Sequence, residues 1–183
     1  MNILLFSLGG FFTGFYLNRW TEKRTGGHSP VLFLPVLCSF FCISSHTVTD
    51  SLFCIAMVVA AVTDHYSTEI PDRCSLVILI CSLVHGFSME GLLSMSWMVP
   101  VALAGYLGWG DVKLMLSAGA YLGTGSIVAA LMISFWSATL AELIKKNRRK
   151  QIPLGPWLAT GCLISLYCGD FLFSLFIGQR IPF

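Results

Sequence analysis

Gly105-Tyr-Leu-Gly-Trp-Gly-Asp-Val-Lys-Leu-Met115 places an acid, Asp111, directly behind Gly108-x-Gly110 and between two long apolar runs. A carboxylate at a membrane boundary is costly unless it is used, paired or wetted. The two glycines remove side chains just before it, so another backbone or an extended peptide can come close. This surround reads as a site rather than a stray surface charge. One carboxyl alone is half of an acid pair, so the reading turns on whether the chain supplies a second at the same depth.

The runs on either side decide the class. Of 183 residues, 56% are hydrophobic and 11% charged, against about 25% charged in soluble domains. With a mean hydropathy of +0.79, residues 1–183 read as one all-α, polytopic membrane helix bundle with little soluble mass. The formal net charge of +2 says less than where the charges lie.

Residues 2–18 are apolar, with no basic residue before them and Arg19, Lys23 and Arg24 after them. A secretory signal has the opposite charge order, so this reads as a retained first span with its N-terminus outside. Further spans are expected near 31–45, 51–63, 74–87, 92–108, 112–123, 126–144 and 154–177, about eight in all. Asp64 ends the third. Pro100 should kink the fifth. The sixth is short for a crossing.

That topology puts loops near 19–30, 65–73 and 145–151 on the inner side. Arg19, Lys23, Arg24, Arg73, Lys113, Lys145, Lys146, Arg148, Arg149 and Lys150 then face inward, and Arg180 outward. Ten of eleven basic residues on one side match the positive-inside rule. The run at 145–150 reads as an anchor on the cytoplasmic membrane face rather than a nucleic-acid contact.

Spans three and five both run inward, so Asp64 and Asp111 emerge at one depth although 47 positions apart. Either alone could be a surface charge, and Asp111 could simply cap the next helix. Two at one level beside glycine-rich backbone favour a pair. Two carboxyls sharing a site cannot both ionise easily. The ionised one can take a proton from water, and the protonated one can stabilise a carbonyl oxygen under attack.

The other polar residues fall around this pair. Asp72 follows Pro71 and reads as the N-cap of span four. Glu69 and Lys113 read first as solvated interfacial residues and second as groups that tune the pair or touch substrate. Gly108, Gly110, Lys113, Pro71 and Asp72 form the candidate positioning set. His65 adjoins Asp64 in sequence, but helical neighbours point apart. Asp170 falls toward the outer end of the last span, with no partner evident. Seven cysteines, mostly inside apolar runs and without Cys-x-x-Cys, read as packing residues. No metal and no cofactor is expected.

Four stretches carry a resemblance. Gly108-Trp-Gly-Asp-Val-Lys-Leu resembles the GxGD signature of the type IV prepilin peptidases. Asp64 with Ile70-Pro71-Asp72 looks like that family's first-aspartate motif. Phe12-Thr-Gly-Phe-Tyr-Leu-Asn-Arg19 is similar to its N-terminal motif, and Ile152-Pro-Leu-Gly-Pro-Trp-Leu-Ala-Thr-Gly161 to its last-span Pro-Phe-Gly-Pro. They occur in the family's order across nearly the whole chain.

The resemblance implies a membrane aspartyl endopeptidase of the bacterial inner membrane, with Asp64 and Asp111 matching the catalytic pair. It would cut the short basic leader of type IV prepilins or type II secretion pseudopilins at the cytoplasmic face. Longer members carry a Cys-x-x-Cys domain between spans one and two, associated with N-methylation. Here that place holds residues 19–30 and no cysteine, which puts methylation in doubt. The rival reading is a small transporter or non-catalytic membrane component using the acids as an ion relay. Against it stand the boundary depth of both acids and the lack of an inverted repeat.

Overall fold

The computed structural model describes residues 47–144 and 154–177. The expected first two spans, the Phe12–Arg19 motif, the loops at 19–30 and 145–151, and Arg180 lie outside the described residues.

The described chain is all-helical: α1 (Val48–Ser67), α2 (Asp72–His85), α3 (Met89–Ser94), α4 (Met98–Leu103), α5 (Trp109–Leu122), α6 (Thr124–Ile144) and α7 (Gly155–Ile177). Three stretches, Val48–Ser67, Thr124–Leu143 and Gly155–Phe176, are long and apolar enough to cross a membrane, with mean hydropathies of 1.4, 1.6 and 1.6. Apolar side chains such as Leu83, Val84, Trp136 and Leu143 stay exposed on the outer faces. That is the expected outside of a bundle whose solvent is lipid.

Helix α1 outruns its expected limits of 51–63 at both ends. Thr47 opens it with a capping box: its hydroxyl accepts the Asp50 N–H at 3.1 Å, and the Asp50 carboxylate accepts the Thr47 N–H at 3.0 Å. Two orphan donors are satisfied at once, so Asp50 belongs to the helix, not to the turn before it. At the other end the helix runs on through Ser67. It stops at Thr68, left-handed at φ 54, whose N–H donates to the Asp64 carbonyl at 2.9 Å. The expected loop from residue 65 therefore shrinks to the few residues before Asp72, and Asp64 sits in the last full turn of a rigid helix.

Two further expectations change. Asp72 is not the N-cap of α2; Pro71 holds that position, with no capping side chain. The Asp72 carboxylate turns instead to the Lys113 ammonium at 2.8 Å, a full charge where a cap would meet only an N–H. Pro100 does not kink a continuous fifth span. The rod breaks at Met95–Trp97, between α3 and α4. There the Ser96 carbonyl accepts the Val99 N–H at 3.1 Å in a tighter, three-residue bond, because a proline at residue 100 has no N–H to offer it.

Packing sets the directions. α1 lies between α2 and α7 and buries Phe53, Met57 and Ala60 completely. α5 packs on α2 and α3, and α7 on α6. Gly91 of α3 and Gly119 of α5 touch backbone to backbone: a Cβ on Gly91 would lie 2.1 Å from the Gly119 carbonyl oxygen. Consecutive rods reverse direction. The end of α1 and the starts of α2, α5 and α7 therefore gather at one end of the bundle. The start of α1, the ends of α2 and α5, and the start of α6 gather at the other.

Candidate active site

The first end holds a cavity of about 530 Å³. Asp64 and Asp111 line it, and so does the rest of the expected set: Gly108, Gly110, Lys113, Pro71 and Asp72. Helix α1 brings Asp64, α2 and the turn before it bring Pro71 and Asp72, and the first turn of α5 brings Asp111. Direction reversal thus makes neighbours of acids that are remote in sequence.

Asp64 is only 6% exposed. Its Oδ2 accepts the backbone N–H of Gly155 at 2.8 Å. Gly155 opens α7, so this N–H is one of the donors a helix start leaves without an internal partner. A Cβ on Gly155 would fall 2.7 Å from the Asp64 Cβ and from Oδ2, so only glycine fits. His65 next door is exposed, as helical geometry requires.

Asp111 is the third residue of α5, outside the three long spans. Its Oδ1 is buried and finds no hydrogen-bond donor among the described residues. Burial, and then the nearby Asp64 charge, push this carboxyl up to about 6. Water loss disfavours a charge, and a like charge adds to it.

The glycines of the motif make room for specific neighbours. A Cβ on Gly110 would stand 3.0 Å from the Ile70 Cβ, so the turn before α2 lies directly on the GxGD backbone. A Cβ on Gly108 would stand 3.1 Å from Asp111 Oδ2. The close partner that the sequence left open is thus the chain's own Ile70. Lys113 and Asp72 form an exposed pair on the rim, worth about 0–1 kcal/mol.

Gly155 belongs to the last-span motif, where the sequence alone assigns it no role. Its N–H and Asp64 are 91 residues apart. The available signal was the sequence Pro153-x-Gly155-Pro156, whose glycine lacks a side chain and can admit a close neighbour. Asp170 acquires its partner here too: the Ser126 hydroxyl donates to Oδ1 at 3.0 Å. This contact is 15 residues up α7 from Gly155, about 22 Å at 1.5 Å per residue. The Asp50–Tyr121 bond at that same far end was also unforeseen.

The model of the type IV leader peptidase family matches residues 51–143, which contain Asp64 and Asp111. The chain is 28% identical over 179 residues to the prepilin leader peptidase/N-methyltransferase of Escherichia coli (strain K12), covering 82% of this chain and 79% of that one. It is 27% identical over 139 residues to the protein so named in Pectobacterium carotovorum subsp. carotovorum, covering 63% and 49%. It is 31% identical over 124 residues to that of Aeromonas hydrophila, covering 55% and 42%. The match therefore spans about half or less of the last two relatives. No solved structure matches.

Proposed function

This chain belongs to the type IV leader peptidase family and is a prepilin peptidase; from that premise we propose that Asp64 and Asp111 are its catalytic pair. They act on type IV prepilins or type II secretion pseudopilins, cutting the leader at the cytoplasmic face of the bacterial inner membrane. The observation that carries this reading is the meeting of both acids in one open cavity, each held by a different helix.

The chemistry follows from sharing a proton. One carboxylate takes a proton from water as its oxygen attacks the peptide carbonyl carbon. The protonated partner donates to the carbonyl oxygen as charge develops there. The C–N bond then breaks, and the leaving amine takes a proton from the pair. Gly108 and Gly110 admit the neighbouring backbone, and Ile70-Pro71 fixes the floor beside Asp111. Lys113 and Asp72 stand where an extended substrate enters.

The finer topology belongs to the same proposal: eight spans, the N-terminus outside, and the catalytic end inside. It rests on the sidedness of the basic residues and on Arg73 and Lys113 lying at the catalytic end. Residues 19–30 contain no cysteine, so the product is expected to keep a free N-terminal amine unless another protein methylates it.

Co-expression with a candidate prepilin tests the activity. The substrate should shift to the processed size, and its mature N-terminus should read by mass spectrometry as unmethylated. No processing of any prepilin or pseudopilin by the accumulated protein would return the ion-relay reading.

A further inference from the structure

The paired acids are not equivalent. Asp64 Oδ2 receives a directed N–H bond from Gly155 at 2.8 Å. Asp111 Oδ1 is buried and receives none among the described residues. A hydrogen bond to the charged form of a carboxyl favours that form, and burial without a donor disfavours it. Helix dipoles do not separate the two. Asp111 lies in the first turn of α5, and Asp64 lies against the first residue of α7. Each acid thus meets a positive helix start.

What remains is the directed bond. A single proton shared by adjacent carboxyls goes to the member whose charge is worse supported. Other charged groups stand nearby, and His65 follows Asp64 on α1 with its ring exposed. Lys113 is held by Asp72 at 2.8 Å, while Glu69 and Arg73 line the wall with opposite charge.

We infer that Gly155 is a positioning residue which, by donating to Asp64, makes Asp64 the ionised base that activates water and leaves Asp111 as the acid that holds the proton. The assignment rests on the two-aspartate reading above and adds a division of labour to it. In the bond-making step, Asp64 accepts the proton of the attacking water while the Asp111 O–H donates to the carbonyl oxygen. At collapse, the proton on Asp64 passes to the leaving amine.

The full-length protein in detergent supplies the test. At about pH 5, infrared difference spectra should show a protonated-carboxyl C=O band in the wild type and in Asp64→Asn. The band should vanish in Asp111→Asn. A band lost in Asp64→Asn and kept in Asp111→Asn would overturn the assignment.

Kinetics on a purified prepilin give a second reading. An asparagine amide can still donate to a carbonyl oxygen but cannot take a proton from water. Residual cleavage by Asp111→Asn should therefore exceed that of Asp111→Ala at least tenfold. Asp64→Asn should be no better than Asp64→Ala. The reverse ranking would sink the proposal. Wild-type cleavage by either Asn variant would instead strike the two-aspartate reading itself, whereas the infrared band locates the proton whether or not cleavage is seen.

Discussion

Acids occupy both ends of this bundle, and they are treated in opposite ways. At the far end, Asp50 is buried and accepts from the Tyr121 hydroxyl and the Thr47 N–H, with His85 Nε2 3.9 Å away. Tyr121 stacks on Phe53, ring centroids 4.6 Å apart. Asp170 accepts from Ser126. At the near end, Asp64 and Asp111 face a cavity, and one Asp111 oxygen has no donor among the described residues. Burial alone therefore does not mark a site. A carboxylate whose oxygens are supplied with donors ties helices together. A buried carboxyl with an oxygen left over is available for chemistry.

The sharpest way to break this contrast is to remove the near-end acids. Asp64→Asn and Asp111→Asn should each lower cleavage on the order of 1,000-fold or more, with normal accumulation on immunoblots. Glutamate at either place keeps the charge but shifts it by one methylene, and should leave activity down about 100-fold. Normal processing by either Asn variant would erase the distinction between the two ends.

Gly155→Ala comes next. Its Cβ would lie 2.7 Å from Asp64 atoms, so the acid or the start of α7 has to move. A misplacement on this scale costs about 100-fold in rate. Cleavage kinetics of the accumulated variant check it, and near-normal turnover would show that Asp64 tolerates displacement.

The pH profile tests the near end without mutation. Asp111 is raised to about 6 by burial and by Asp64. A raised carboxyl keeps its proton below that value and loses it as pH rises through it. If that proton is catalytic, kcat/KM should fall on the alkaline side, with a limb no lower than about pH 6, since bilayer and substrate exclude more water. On the acid side the rate should fall as the base of the pair is protonated. A rate that is flat from pH 5 to 9 would remove the need for a shared proton.

The far end should respond in stability, not in chemistry. Tyr121→Phe strands the buried Asp50 oxygen and should cost about 1–3 kcal/mol, read by thermal denaturation in detergent, with turnover of the folded protein within about twofold of wild type. The smallest effect is expected for Asp170→Asn. Asp170 is exposed and keeps an acceptor for Ser126, so the change should fall below about 1 kcal/mol and leave cleavage intact. A loss of cleavage as large as that of Asp111→Asn would show that the two ends work together.

Much of the near end could be read in advance because its signals are local. Glycines two apart before an acid, a proline before Asp72, and apolar runs that fix direction are all properties of short stretches. The far end was not readable in this way. Nothing near Asp50 announces Tyr121, 71 residues away, because a tyrosine in an apolar run is indistinguishable from packing. The misread boundaries have the same origin. Whether Asp72 caps its helix or pairs with Lys113 depends on a residue 41 positions on.

The sequence by itself determined the all-helical class, the reversal of direction from rod to rod, and the common level of Asp64 and Asp111. Hydropathy and charge order act along the chain, and direction follows from counting crossings. Only the tertiary structure decided which oxygen each acid leaves open. Helix rotation and approach are set by side-chain volume at contacts such as Gly91 on Gly119 and Gly155 on Asp64. Such contacts are long-range, and a difference of one Cβ decides whether a backbone N–H reaches a carboxylate.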